Sequence, residues 1–275
     1  ISIHHDDLKN HNQKIGCITY TNVAAEHIKH QLGVSDVVEI STIHERIWSI
    51  ICSQKSALLS LHIEKLKSEV DLLSNQLLSN SEYEKYRALD ASAQERFFQL
   101  MQENKKKYNM AYNLKAAEFK AAMPEEIRLQ YAELISNVSK FKGLVDKLFK
   151  RKRYLDCLCK IESGEKEYKV VNYDAMYNRD RLDKMRISHD TLLEYGYELI
   201  ERYPRMRQLI IDKYPYILID EYQDTADIVV KIMSLIDQYA KQIKHDVFIA
   251  YFGDTVQNIY DAGVGKRLTR LHPEL

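Results

Sequence analysis

The stretch Tyr216-Ile217-Leu218-Ile219-Asp220-Glu221-Tyr222-Gln223-Asp224-Thr225 constrains the fold more than any other. An apolar run ends abruptly in two carboxylates. A continuous apolar run is the pattern of a strand covered on both faces, as in parallel sheets flanked by helices. In such sheets ligands sit beyond the carboxyl ends of the strands, where Asp220 and Glu221 would fall. An aspartate there can hold magnesium, which takes hard oxygen ligands and keeps several waters. The adjacent Glu221 can accept a proton from an attacking water. For the dipeptide alone, a buried strand running out into an acidic loop is the stronger reading.

A second segment changes that balance. Val247 to Tyr260 (V-F-I-A-Y-F-G-D-T-V-Q-N-I-Y) is again an apolar strand followed by glycine, a carboxylate, a glutamine and an aromatic. Between the two, Ile228, Val229, Ile232, Met233, Leu235, Ile236 and Tyr239 recur at helical spacing. Strand, helix, strand with polar residues at both strand ends is a βαβ unit. Near the start, Lys14 to Thr21 reads as a buried strand, with Asn22 as the N-cap of a helix and Glu26 close to the acid position of a capping box. Gly33 closes that helix. Val37 to Ile40 is a further strand, followed by Ser41-Thr42-Ile43-His44 and a helix containing Ile47, Trp48, Ile50 and Ile51.

I-D-E-Y-Q-D-T followed by G-D-x-x-Q-x-I-Y resembles motifs II and III of the UvrD/Rep-like superfamily 1 helicases. T-Y-T-N-x-A-A at Thr19 to Ala25 resembles motif Ia, and S-T-I-H at Ser41 to His44 resembles motif Ib. The resemblance covers the two ends of the chain and implies an α/β P-loop NTPase core of the RecA type. It implies ATP and Mg2+ as cofactors, with Asp220 on the metal, Glu221 activating water and Gln257 sensing the terminal phosphate. Gln223 would couple that site to DNA. Single-stranded or partly duplex DNA would run past Tyr20, Thr21, Asn22, Thr42, His44 and Tyr260. Strand ends and helix N-termini do offer N–H groups to phosphates, and an aromatic can stack on a base. Taken singly, Tyr20 reads as a core tyrosine and His44 as a structural histidine; four motifs in the family's order favour the functional reading.

Two features depart from the family. The phosphate-cradling pattern G-x-x-x-x-G-K-[ST] does not occur; Gly263-Val264-Gly265-Lys266 has the wrong spacing and is followed by Arg267. In the family this loop lies shortly before motif Ia, so it is expected upstream of Ile1. A second motor domain is expected beyond Leu275, and the piece alone is expected to be inactive. Ala262 stands where the family often has tryptophan, which removes one stacking platform, worth about 1–3 kcal/mol per base in comparable sites. The expected activity is that of an ATP-dependent DNA helicase or single-stranded DNA translocase. The rival is a non-catalytic nucleic-acid-binding or assembly module that keeps the fold, such as a subunit of a nuclease or defence complex with a nuclease partner.

From Ser53 to Arg186 the period changes. Leu59, Ile63, Leu66, Val70, Leu73 and Leu77 alternate spacings of four and three, as do Ile127, Tyr131, Leu134, Val138, Phe141, Val145 and Leu148. Such seams pack helix on helix. Residues 53–186 are therefore expected to be a mostly helical insertion splitting a core made of 1–52 and 187–275. A β-hairpin is expected near 155–173, around Ser163-Gly164-Glu165. The insertion carries 26 Lys+Arg against 20 Asp+Glu, while the whole chain balances at 40 and 40. Its cluster of Lys140, Lys142, Lys147, Lys150, Arg151, Lys152 and Arg153 suits either a solvated helix face or a phosphate contact. Cys17, Cys52, Cys157 and Cys159 form no zinc or redox pattern, which suits a reducing, cytoplasmic setting. No stretch is apolar enough to span a membrane, so no membrane partner is expected.

Overall fold

A computed structural model describes residues 5–33, 35–176, 178–254, 264, 267–273 and 275. The chain divides into two compact units. Ile1–Leu61, Val170–Arg181 and Arg186–Leu275 form the first, His62–Lys169 and Leu182–Met185 the second.

The first unit starts with helix α1 (His5–Asn10), strand β1 (Ile15–Thr19), α2 (Asn22–Leu32), β2 (Val38–Thr42) and α3 (Ile43–Ile51). The N-cap of α2 is Thr21 rather than Asn22: its Oγ1 accepts from Ala24 N–H at 3.1 Å, leaving Asn22 as the exposed first helical residue. Both residue types cap well, and the register of β1 decides which one sits at the junction. Gly33 closes α2 at φ 69°, donating its N–H to Lys29 O. The capping box lies at α3 instead, where Thr42 Oγ1 accepts from Glu45 N–H and Glu45 Oε2 accepts from Thr42 N–H.

The second unit takes up most of α4 (Lys55–Ser79), then α5 (Glu84–Arg87), α6 (Ala91–Glu103), α7 (Lys105–Ala111), α8 (Ala116–Ala122), α9 (Glu125–Gln130), α10 (Ala132–Ile135) and α11 (Val138–Glu162). Leu66, Val70, Leu73 and Leu77 are buried along α4. The second seam is buried apart from the half-buried Val138, but it crosses three helices, α9, α10 and α11, rather than one. Phe97 centres an aromatic core, edge-on to Tyr131 and Phe141. The hairpin expected near 155–173 is not there. Residues 155–162 continue α11, the turn at Gly164 follows, and Lys166–Tyr168 is a 3-10 turn. Tyr154, Cys157, Leu158 and Ile161 recur at the helical period and turn one face inward, so period 3.6 prevails over period 2.

The basic cluster of α11 serves its own unit. Lys142 Nζ sits over the Phe119 and Tyr112 rings and donates to Tyr112 O. Lys147 lies over Tyr83, Lys150 pairs with Glu69 at 3.1 Å, Arg151 donates to Ser74 Oγ, and Lys152 pairs with Asp156.

The first unit resumes with β3 (Asn172–Tyr173) and β4 (Arg186–Ile187), a short parallel pair, then α12 (His189–Arg202) and α13 (Pro204–Lys213). It ends with β5 (Tyr216–Ile219), α14 (Asp227–Ile243), β6 (Phe248–Tyr251) and α15 (Leu268–Leu271). The main sheet is parallel throughout, in the order β2-β1-β5-β6. Its two faces are not equally covered. Gly16, Ile18 and Ile217 face Ile47, Ile200 and Met233 around a small apolar cavity of about 20 Å3. The opposite face buries Ile15 with Leu8 and Val37, but Tyr216 and Leu218 only in part. The apolar run of β5 is thus alternately buried, because among the described residues only one face has a full helical layer. Gly196 of α12 lies so close to α3 that a β-carbon there would stand 2.5 Å from Ile47 Cγ2. Below the sheet, Glu39 accepts from Arg46 and Tyr214, each at 2.5 Å, and pairs with Lys213, tying β2 to α3 and the end of α13.

Candidate functional site

In the sheet β1 lies between β2 and β5. The chain leaves β1 through α2 to reach β2 on one side, whereas β5 occupies the other. Such a reversal opens a crevice at the carboxyl ends of two neighbouring strands, the usual ligand position in open parallel sheets. Tyr20 and Thr21 follow β1 there, and Asp220 and Glu221 follow β5. Asp220 N–H donates to Ile18 O at 2.8 Å, carrying the ladder one residue past the strand. The negative charge of Asp220 reaches into the neighbouring strand: burial raises the Cys17 thiol, and Asp220 raises it further.

Glu221 adopts the left-handed conformation, φ 53° and ψ 41°. For a residue with a side chain this costs about 1–3 kcal/mol and persists only where the surroundings hold it. Three contacts do so. Asp224 N–H donates to Glu221 O at 3.1 Å, Tyr222 N–H donates to Phe252 O at 3.2 Å, and Gln223 Nε2 donates to Glu221 Oε2. The backbone reversal leaves the Glu221 side chain exposed while Gln223 turns inward and is 1% exposed. Gln223 Oε1 and Thr19 Oγ1 are both buried without a hydrogen-bond partner among the described residues.

Beside this crevice, Tyr20, Ile43, His44, Asn178, His189, Asp190, Leu193, Asp224, Thr225, Ala226 and Val229 line a cleft of about 230 Å3. His44 stacks on His189 with ring centroids 4.5 Å apart. Burial, and then the neighbouring His189, lower the His44 imidazole to about 4, so it is neutral at neutral pH. His189 in turn meets the Tyr173 hydroxyl at 2.7 Å, and Tyr173 packs against Trp48. Tyr20 and His44 thus share one cleft. The Thr21 and Thr42 hydroxyls are engaged in helix capping, and Asn22 points from the first turn of α2 into solvent. Gln257 and Tyr260 lie outside the described residues. Sequence reasoning missed His189, Tyr173 and Asn178, which come from the segment returning to the first unit and carry no local motif. Gly253 is visible in the sequence as a glycine after β6, but its role comes from the missing β-carbon, which makes room for Gln223.

The UvrD/REP helicase N-terminal domain family matches residues 3–262. The chain belongs to the UvrD/REP helicase family. A curated relative, Gabija protein GajB of Bacillus cereus (strain HuB5-5), is 46% identical over 268 residues, which are 98% of this chain and 39% of the relative. The chain therefore spans about two-fifths of that relative's length. The parallel α/β core is the RecA-like fold of the family's N-terminal domain.

The helicase family implies ATP with magnesium, and the donors at the crevice fit that pair. Magnesium bound with substrate phosphates takes one or two carboxylates rather than an all-protein cage. Asp220 at the end of β5 supplies a hard oxygen donor; among the described residues no group of three or more His, Cys, Asp or Glu side chains converges, at the crevice or away from it. The unpartnered Thr19 hydroxyl at the end of β1 is a further polar group at the crevice. No described helix is long and apolar enough to cross a membrane, and all four cysteines are free thiols.

Proposed function

We propose that the full-length protein is an ATP-dependent helicase or translocase acting on single-stranded or partly duplex DNA, and that this domain carries half of its ATP site. The observation that carries this reading is Glu221, held left-handed immediately after Asp220 at the reversal point of the sheet. Magnesium, when bound, would neutralise phosphate charge. Asp220 would hold it. Glu221, exposed and next in the chain, would accept the proton of the attacking water. Gln223 orients Glu221 through its amide and, from its buried position under the exit of β6, would relay changes there to the DNA side. Gln257 would sense the terminal phosphate. Tyr20, His44 and Tyr260 would line the DNA path, with Thr21, Asn22 and Thr42 presenting helix N-termini to phosphates. A second motor domain in the same full-length chain would complete the site.

Glu221→Gln in the full-length protein tests this. The amide is nearly isosteric and its oxygen can still accept from Gln223, but it cannot take the water's proton. ATP binding should persist while DNA-stimulated hydrolysis is abolished; wild-type turnover in this variant would remove Glu221 from the role of base. A second reading, a nucleic-acid-binding subunit assembled with a nuclease, is favoured by Ala262 in place of the family's frequent tryptophan. It predicts DNA affinity without turnover in the wild-type protein.

A further inference from the structure

His272 is fully buried, yet it belongs to no motif. Its Nε2 lies 3.1 Å from Asp237 Oδ2 of α14, and its Nδ1 lies 2.8 Å from the Tyr251 hydroxyl at the end of β6. A carboxylate only accepts, so Nε2 donates to Asp237; in the neutral imidazole Nδ1 then accepts from Tyr251. Burial, and then the charge of Asp237, hold the Tyr251 phenol well above its ordinary value, so its hydroxyl keeps the proton to donate. Lys241 pairs with the same Asp237 oxygen at 3.0 Å and balances its charge. The relay is therefore satisfied at each step and fixes the Tyr251 ring in one orientation.

That orientation matters because of what the ring touches. Tyr251 packs edge-on against Tyr222, centroids 6.1 Å apart, and also edge-on against His272. Tyr222 is the residue between Glu221 and Gln223. Its N–H holds Phe252 O, and its ring reaches to 3.1 Å from where a β-carbon on Gly253 would stand. We propose that Asp237, His272 and Tyr251 are positioning residues whose hydrogen-bonded relay clamps Tyr222 and thereby sets the left-handed Glu221 in the geometry that accepts the water's proton. The three act through Tyr222; the inference rests on the reading of Glu221 as base.

The test uses the full-length protein, with steady-state ATP hydrolysis in saturating single-stranded DNA and a thermal melt of each variant. Tyr251→Phe removes only the hydroxyl and keeps the ring. Turnover per folded molecule should fall about tenfold, as expected for a slightly misplaced catalytic group, while KM for ATP stays within about twofold. His272→Ala should lose at least as much. His272→Gln, whose amide can donate to Asp237 and accept from Tyr251, should recover most of the loss. Variants that melt earlier but turn over normally when folded would make the relay purely structural and overturn the proposal, as would a KM rise with kcat unchanged. If wild type hydrolyses ATP and Glu221→Gln does not, insensitive relay variants sink this inference alone. If wild type binds ATP without hydrolysing it, the helicase reading falls and this one with it.

Discussion

Gln223 lies against Gly253 so closely that a β-carbon on the glycine would stand 2.0 Å from Gln223 Oε1 and 3.1 Å from its Cδ. The glycine also sits at φ 156°, a conformation that side-chain-bearing residues rarely adopt. One missing methyl therefore joins the two strand exits that carry the motif II and motif III residues. The contact gives Gly253 a job separate from any ligand: it lets the β6 exit close over Gln223, whose other amide atom holds Glu221.

Gly253→Ala should break that arrangement. The methyl expels Gln223, frees Glu221 from its amide partner and strains the backbone. Overpacking of this kind costs about 1–3 kcal/mol, to be read as a lower melting temperature. ATP turnover in the full-length protein should fall further than stability alone explains, by about a hundredfold, because a displacement of about 1 Å at a catalytic group has that effect. Nucleotide affinity should change little. Unchanged turnover would show that the Gln223–Glu221 contact has no part in the chemistry.

Much of this site is legible in the sequence and some of it is not, for physical reasons. Apolar runs ending in carboxylates mark β5 and β6 as strands with polar exits; β6, however, is an edge strand of the described sheet with Phe248 exposed and Ile249 to Tyr251 only half-buried, so its apolar run does not report full burial. The alternating burial of β5 is not legible, since Leu218 is as apolar as Ile217 and Ile219 and Tyr216 has a largely apolar ring; what differs is the layer above each face. The expected hairpin at 155–173 came from the turn residues Ser163-Gly164-Glu165, which in fact end a 25-residue helix. Thr21 and Asn22 are adjacent capping residues, and only the strand register chooses between them. Contacts such as His44–His189, Tyr251–His272 and Gly253–Gln223 join positions far apart in the chain, so no local pattern announces them.

Acid should destabilise the fold in two separable windows. His44 sits at about 4 in the folded chain against 6.5 for a free imidazole, lowered first by burial and then by His189. Between those values the unfolded chain binds a proton that the folded chain refuses, so stability falls as pH drops from 6.5 towards 4. Burial alone would raise the Glu39 carboxyl, but hydrogen bonds from Tyr214 and Arg46 and the charges of Arg46 and Lys213 outweigh it and hold it at about 2. Its contribution is complete above 4.5, the unfolded value, and is lost as pH falls towards 2. Denaturant midpoints measured from pH 7 to pH 2.5 should show both slopes. His44→Gln should flatten the upper one and Glu39→Gln the lower; a variant that leaves its own window unchanged would refute that assignment.

The basic cluster of α11 gives the last prediction, because sequence leaves it poised between a solvated face and a phosphate contact. The geometry favours a third role. Lys142 Nζ lies 4.5 Å from the Phe119 ring centroid and 5.1 Å from that of Tyr112, and it donates to Tyr112 O at 2.6 Å. Lys150 lies 5.3 Å from the Tyr154 ring centroid and pairs with Glu69. A cation over an aromatic face contributes about 0.5–2 kcal/mol depending on desolvation. Lys142→Gln and Lys150→Gln should therefore each lower stability by about that amount. Single-stranded DNA affinity of the full-length protein should be unchanged for both, and so should its dependence on salt. A lysine that neutralises a phosphate behaves differently: its removal weakens binding on every sequence and reduces the slope of log affinity against log salt by about one. Binding isotherms at several salt concentrations, beside thermal melts, separate the two. A reduced slope with an unchanged melt would move these lysines from the core of their own unit to the DNA path.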